Sequence, residues 1–312
     1  MKKVLLTSTA LVASAGMAAA DVSLSGSAEL GVAYYDSTDD ATDNEEVQFH
    51  TDIDVTFTMS GETDGGLTFG ASIDLDEGGN GEPFEDANTQ GGETIFVSGN
   101  FGTINMGDTD GAFDRAMNEA IIGGALNDDH EHGGYNGNAG LDGTYDGQIV
   151  RYDYSFSDFQ FSVSAEIDDA GVGDPVFGLG FQYDLELAGV DLGLGLGYQS
   201  VDDGTDDIDL VGFSVDASFG GGIEAILNYS TEDDGAADTD HIGLAVGYSF
   251  DAVTVAANWG EFDTDGATTD GIGFVVNYDL GGGAEAQFGY GTTSEDGADD
   301  VDTWSLGLAL SF

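Results

Sequence analysis

Apolar and polar residues alternate with a period of two along almost the whole chain after residue 20. In the first such segment, one face carries Val22, Leu24, Ala28, Leu30, Val32 and Tyr34. The opposite face carries serines and Glu29, and the same alternation is still present in the last segment, which ends at Phe312. A period of two predicts β-strands with one apolar face, whereas helical periodicity is almost absent. The pattern therefore predicts an all-β protein.

The connections between these segments are of two kinds, which alternate along the chain. Short turns are predicted at 220–222, 251–252 and 281–283, and longer acidic connections at 36–46, 76–93, 200–207, 231–240, 263–270 and 292–301. One connection, from about residue 109 to 146, is far longer than the others. Short turns at one end and long loops at the other are typical of transmembrane β-barrels. The segmentation predicts about 16 strands of about 8–13 residues, with both chain ends on the short-turn side.

The polar face of these segments distinguishes a membrane barrel from a soluble sandwich. It carries Asp, Glu, Ser, Thr, Asn, Gln and Gly, which suit a wet lumen, whereas a sandwich would need two apolar faces to form its core. Aromatic residues such as Tyr198, Tyr229 and Trp304 recur near strand ends, where a membrane barrel has its interfacial girdles. We therefore predict a transmembrane antiparallel β-barrel, with residues 21–312 forming a single domain.

The first 20 residues have the pattern of a signal peptide. Lys2 and Lys3 form a positive region, residues 4–17 are mostly apolar, and 18–20 are three alanines before the first acidic residue, Asp21. This order is typical of a secretory signal with a small-residue cleavage site. No later stretch has about 18 consecutive apolar residues, so no membrane-spanning helix is predicted. Together with the barrel, the signal predicts the outer membrane of a Gram-negative bacterium.

The charge balance is extreme and excludes several functions. The chain has 61 Asp and Glu against 4 Lys and Arg, and after residue 20 the only two basic residues are Arg115 and Arg151. Nucleic-acid binding is excluded because it needs clustered cations, and the absence of Cys excludes thiol chemistry. Disorder is disfavoured because 40% of residues are hydrophobic and patterned. So many carboxylates suit a halophilic or marine host, where salt screens their repulsion.

Several short segments of the sequence resemble a known protein family. The residues that carry the resemblance are the start at 21–26 (DVSLSG), the stretches 57–61 and 65–72, the segment 96–108 (FVSGNFGTINMGD), residues 152–155 and the terminal strand 305–312 (SLGLALSF). Together, in this order, they are similar to Gram-negative general diffusion porins, most of all the 16-stranded trimeric porins of the Rhodobacter type. The resemblance implies a homotrimer with one pore per barrel, in contact with outer-membrane lipids and lipopolysaccharide. It also implies a third loop that folds into the lumen and faces charged wall residues.

Applied to this sequence, the resemblance assigns residues to a constriction. The loop and its edge supply Asp108, Asp110, Asp114, Arg115, Glu119, Asp128, Asp129 and Glu131. The lumen wall supplies Asp52, Asp54, Asp74, Asp76, Arg151 and Asp153. Such porins usually carry basic residues on the second strand, but here that strand carries Asp52 and Asp54, so charge separation across the pore should be weak. Because carboxylates concentrate cations, we expect a passive channel for ions and small hydrophilic solutes that prefers cations.

Several alternatives remain open from the sequence alone. Arg151 is either a wall residue facing the lumen or a structural salt bridge that holds the long loop. Residues 111–122 form either a short helix or a loop segment whose apolar side chains pack against the wall, and the second reading is preferred. No cofactor is required and no enzyme activity is expected, although Asp108 and Asp110 open a possible Ca²⁺ site. A secreted acidic calcium-binding surface protein or adhesin is the alternative function, and a substrate-specific channel is a third.

Overall fold

A computed structural model of the chain describes residues 21–35, 47–76, 90–168, 170–171, 173–202, 204 and 207–312. The predicted signal peptide and most of the predicted connections 36–46 and 76–93 lie outside the described residues. The strands are β1 (Asp21–Tyr35), β2 (Gln48–Glu62), β3 (Thr68–Asp76), β4 (Gln90–Gly99), β5 (Gly102–Asp108), β6 (Gln148–Phe156), β7 (Phe159–Glu166), β8 (Val176–Leu187), β9 (Val190–Asp202), β10 (Asp207–Phe219), β11 (Ile223–Asp233), β12 (Asp238–Phe250), β13 (Val253–Thr264), β14 (Ala267–Gly281), β15 (Ala284–Glu295) and β16 (Val301–Ser311). Between β5 and β6 lie a short helix, α1 (Ala112–Ala116), and a 3-10 turn (Leu126–Asp128).

These strands form one closed antiparallel barrel, so the predicted fold class and strand number are confirmed. Each strand pairs with its neighbours in the sequence, and β1 pairs with β16 from Ser27 opposite Ser311 to Tyr35 opposite Thr303. The amide of Phe312 adds a hydrogen bond of 2.9 Å to the carbonyl of Gly26. Closure pairs the backbone groups that an open sheet would leave exposed at its edges.

The period-two pattern separates an apolar outer face from a largely polar inner face. On β12, Leu244, Val246 and Tyr248 are 42%, 59% and 44% exposed, whereas the alternate residues His241 and Ala245 are 2% exposed. Exposed apolar side chains on the outside of a closed barrel are the arrangement that a lipid environment requires. Among the described residues, no helix combines the length and apolar character needed to cross a membrane.

The prediction was wrong about several connections and about strand length. The predicted loop 263–270 is a turn of two residues, 265–266, because β13 continues to Thr264 and β14 begins at Ala267. The connections predicted at 231–240 and 292–301 shorten in the same way, to 234–237 and 296–300, and strands range from 7 to 15 residues. The acidic residues at these ends belong to the strands, because backbone pairing between neighbouring strands continues where both faces of the sheet meet water. The connection between β5 and β6 is the third long loop, as predicted, and spans 109–147.

Tyrosines on the outer face mark the end of the barrel that carries these acidic turns. Each of three tyrosine hydroxyls donates a hydrogen bond to an aspartate on the next strand, in the pairs Tyr198–Asp209 (2.6 Å), Tyr229–Asp240 (2.8 Å) and Tyr290–Asp302 (2.9 Å). Tyr34 stacks on Trp304 across the closing pair of strands, with ring centroids 6.0 Å apart. Amphipathic rings at one level of the barrel are typical of a membrane interface.

Candidate constriction site

The third long loop, 109–147, runs along the inner wall of the barrel. Its helix α1 lies against β7, β8 and β9, and its 3-10 turn lies against β15, β16 and β1. The loop is called the lumen loop below. It thus follows a large arc of the wall, which agrees with the inward folding that the family resemblance implied.

Apolar side chains of the lumen loop form a small core inside the barrel. Phe113 is fully buried and packs with Met117 of the loop and with Val176, Val201 and Leu210 of the wall. Farther along, Ala120 packs against Ile226 and Ala245. The preferred reading of 111–122, packing against the wall, therefore describes most of the segment, since the helix covers only Ala112–Ala116.

Polar side chains of the inner wall hold the backbone of the lumen loop by direct hydrogen bonds. Ser164 and Ser214 accept from the amides of Ala112 and Asn118, both at 2.8 Å. Farther round, Asn277 binds both backbone groups of Gly124: its amide nitrogen donates to the carbonyl at 2.7 Å, and its oxygen accepts from the amide at 3.3 Å. These bonds satisfy backbone groups that the irregular loop cannot pair within itself.

Two carboxylates fix the returning leg of the lumen loop. Glu166, 2% exposed, accepts from the amides of Gly143, Tyr145 and Gly147 at 2.8–3.1 Å. Asp142 accepts from the amide of Gly111 and from the side chain of Gln199, both at 2.6 Å. The first bond joins the start of the loop to its end. Burial raises the pKa of Asp142 to about 6, although both hydrogen bonds oppose the shift.

Arg151 lies on the inner wall, where its buried side chain holds the start of the loop. Its guanidinium bonds the carboxylate of Asp153 at 3.1 Å and the carbonyl of Asp110, and it lies 3.8 Å from the Asp110 carboxylate. Arg151 is only 7% exposed. Asp153 also accepts from Asn105 and Ser162. The positive charge of Arg151 is therefore compensated by carboxylates of the protein itself.

Arg115 has a different environment. It belongs to none of the ion pairs formed among the described residues. With Arg151, Asp153 and Gln160 it lines a polar cavity of about 450 Å³, which extends to the turn between β4 and β5. Arg115 is therefore the cation that remains available on the inner side of the described barrel.

The predicted acidic wall lies on the inner faces of β2 and β3. Asp52 and Asp54 share the face of the buried His50, which bonds Glu29 at 3.0 Å, and Glu29 also accepts from the amide of Asn127 in the lumen loop. Asp54 accepts from Ser27, and Asp74 accepts from Thr56, both at 2.9 Å. The backbone of Asp76 pairs with that of Asp54, whereas its side chain lies outside the described residues. The structure thus places Asp52, Asp54 and Asp74 on one inner surface.

The predicted acidic residues of the lumen loop do not share one environment. Asp108 is an exception to the prediction, because it is the last residue of β5 and alternates with the inward Gly107, on the same outer face as Met106. Asp110 and Asp128 are exposed, whereas Asp114 and Glu131 are partly buried and Asp129 is 4% exposed. Burial raises the pKa of Asp114, Asp129 and Glu131 to about 7, with neighbouring carboxylates adding to each shift. Glu119 is partly buried beside Tyr135, and the burial of Tyr135 together with the Glu119 carboxylate raises the pKa of that tyrosine. These buried carboxyls bind protons more readily than exposed ones.

Two histidines of the lumen loop lie in the same region, His130 buried and His132 partly buried. Burial lowers the pKa of His130 and His132 to about 4, and the proximity of His241 on the wall contributes to the shift of His132. His241 bonds the carbonyl of Gly134 at 3.0 Å. In the part of the chain that the structure describes, no group of three or more His, Asp or Glu side chains is placed to hold a metal ion. The Ca²⁺ site at Asp108 and Asp110 stays a prediction.

The sequence analysis missed the wall residues that position the loop: Glu166, Ser164, Gln199, Ser214 and Asn277. Their polar character at inward positions of the alternation was visible. Their contacts were not, because they join residues as far as 153 positions apart.

Comparisons with known proteins agree with this architecture. The sequence profile of the Gram-negative porin family matches residues 7–298. A porin of Rhodobacter capsulatus is 35% identical over 158 residues, which are 49% of this chain and 47% of that protein, so the chain spans about half the length of this curated relative.

Solved porin structures share the whole fold. A porin refined at 1.8 Å resolution aligns with a TM-score of 0.71 and 26% identity, over 94% of this chain and 100% of that one. A triple mutant of Rhodopseudomonas blastica porin aligns with a TM-score of 0.68 over 93% of this chain and 100% of its own, at 22% identity, which supports the fold alone. Since the family profile covers well over half of the sequence, this chain belongs to the Gram-negative porin family.

Proposed function

We propose that this protein is a passive channel of the outer membrane for ions and small hydrophilic solutes. The observation that carries the proposal is a closed barrel with an apolar outside, a polar inside and a loop packed along part of the inner wall. Water can fill the space between the lumen loop and the acidic surface of β2 and β3, and solutes can cross without a moving part. Membership of the porin family implies a channel rather than an enzyme.

The channel prefers cations in this proposal. Asp52, Asp54 and Asp74 line one side of the passage, and the exposed Asp110 lies at the start of the loop. Arg151 is neutralised by Asp153 and Asp110, so among the described residues Arg115 is the arginine left to offset these charges. A passage lined by carboxylates between low-dielectric walls concentrates cations. Salt screens this effect, because the Debye length is only ~8 Å at physiological ionic strength.

The assembly and surroundings extend the same proposal. By its resemblance to Rhodobacter-type porins, the chain forms a homotrimer after its signal peptide, residues 1–20, is removed. Its exposed apolar outer face contacts outer-membrane lipids and the neighbouring subunits. The acidic turns beyond the tyrosines face lipopolysaccharide, with divalent cations between the two negatively charged surfaces.

Planar bilayers test the proposal directly. The purified protein is inserted under a KCl gradient, and we expect conductance in steps of three equal levels with a reversal potential displaced towards the K⁺ equilibrium value. The double variant Asp52→Asn/Asp54→Asn should move the reversal potential towards zero. The control Glu295→Gln/Asp299→Asn removes two exposed charges near the turn between β15 and β16 and should leave it unchanged. Equal reversal potentials for wild type and Asp52→Asn/Asp54→Asn would reject the acidic wall as the selectivity element, and failure to conduct at all would reject the channel.

A further inference from the structure

Inward-facing glycines of the barrel wall lie beneath the lumen loop. A Cβ atom built on Gly180 would lie under 3.0 Å from the backbone carbonyl oxygen of Ala112, and one on Gly195 would lie equally close to that of Ala116. Real Cβ atoms essentially never show such short contacts. Helix α1 therefore packs with its backbone directly on the wall, at a depth that only glycine permits.

Glycines also occupy the same level of the barrel on neighbouring strands. Gly180 lies opposite Gly197, which lies opposite Gly212, so three adjacent strands carry glycine at one level. A Cβ on Gly212 would come within 2.8 Å of the ring of Phe113 and of the methyl group of Met117. These contacts are with the ends of flexible side chains, so they are milder than the backbone contacts at Gly180 and Gly195.

The glycines continue under the second half of the lumen loop. A Cβ on Gly260 or Gly273 would lie under 3.0 Å from the carbonyl oxygens of Gly134 and His130, respectively. The hydrogen bonds from Ser164, Ser214 and Asn277 to the loop backbone come from the same inner wall. Close backbone approach and directed hydrogen bonds are independent observations, and both describe a surface shaped for this loop.

Local conformation does not explain these glycines. None of Gly180, Gly195, Gly197, Gly212, Gly260 and Gly273 has a positive φ, so any residue could adopt their backbone conformation. Glycine within a strand weakens the strand relative to alanine. The space needed by the loop is therefore the property that requires glycine at these positions.

We infer that the glycines and hydrogen-bonding side chains of the inner wall under the lumen loop set the width of the passage, because they fix how far the loop stands from the wall. This inference rests on the proposed channel function. A methyl group placed under the loop would push α1 away from the wall and into the open lumen. The conductance would then fall even though no residue that lines the passage had changed.

A graded alanine series tests the inference by single-channel conductance. Gly180→Ala and Gly195→Ala, which meet loop backbone, should lose the most conductance, and Gly212→Ala should lose less. The matched control is Gly220→Ala, because Gly220 lies in a turn with no atom within 4 Å of its added Cβ and without a positive φ. It should conduct as the wild type does. Resistance of each variant to unfolding in cold SDS establishes that the barrel is folded.

The outcomes separate this inference from the proposed function. Wild-type conductance in folded Gly180→Ala and Gly195→Ala would overturn the inference and leave the channel intact. A loss that did not follow the order of loop contact would overturn it as well. If Gly180→Ala does not fold, Gly195→Ala and Gly212→Ala still decide the order relative to Gly220→Ala. A wild-type protein that does not conduct would instead reject the channel function itself.

Discussion

Replacing Asp129 by asparagine should make the packing of the lumen loop less sensitive to pH. Asp129 is 4% exposed, and one of its carboxylate oxygens has no hydrogen-bond partner among the described residues. Burial raises its pKa to about 7, from the ordinary value of 3.8 for an aspartate. The neutral acid is thus the form that fits the packed loop, and asparagine is a neutral side chain of nearly the same shape.

The sign and size of the effect follow from this shift in pKa. A carboxyl whose pKa is raised in the packed state stabilises packing most below its unpacked value, near pH 4. That contribution is lost as the pH rises to about 7. About 3 pKa units at 1.36 kcal/mol each give an upper value of about 4 kcal/mol for the free energy lost by wild type. Asp129→Asn should therefore match wild type near pH 4 and hold the loop more tightly above pH 7.

Hydrogen exchange of the loop amides measures this difference locally. The amides of Asp128, Asp129 and Glu131 donate within the turn at 2.8–3.3 Å, so their protection reports opening of this segment. Protection is compared between pH 5 and pH 8 after correction for intrinsic exchange. Asp299→Asn, on an exposed turn at the barrel end, is the control and should behave as wild type. The reasoning is refuted if Asp129→Asn and wild type differ by the same amount at both pH values.

Three further variants each test the role of one charged side chain. Glu166→Gln should weaken the loop by about 2–4 kcal/mol, because three amides lose an ionised acceptor; exchange at 143–147 should accelerate, and the exposed Glu186→Gln should change nothing there. Arg115→Gln should move the reversal potential further towards the K⁺ value, and an unchanged potential would place Arg115 away from the passage. Arg151→Gln should cost about 3–5 kcal/mol, since it leaves the carboxylate of Asp153 poorly compensated, and an unaltered thermal unfolding temperature would contradict this.

The barrel itself could be predicted because its signal is local and repeated. Alternation on strands such as β12 exposes every second side chain to lipid, which leaves a period of two in the sequence. The ends of strands could not be predicted as well. Where β13 and β14 adjoin, residues 263–270 are mostly polar, so the pattern does not separate a paired strand from a loop there.

The constriction was predictable in outline only. The length of 109–147 and its many carboxylates marked it as unusual, and the family resemblance implied that it folds inward. The different environments of Asp110 and Asp129 depend on which residues lie next to the wall. A contact such as Asn277 with Gly124 joins distant parts of the chain and leaves no local pattern.

The sequence by itself determined the all-β class, the strand number, the apolar outer face and the excess of negative charge, because each is a property of composition or of short-range periodicity. Only the tertiary structure decided that Arg151 holds the loop while Arg115 forms no ion pair with the described residues, that Glu166 binds three loop amides, and that wall glycines bring α1 close. Those facts depend on packing between distant segments. The burial of a side chain decides its charge state, and the distance between loop and wall decides which residues fit there. Both are defined only once the barrel has closed around its loop.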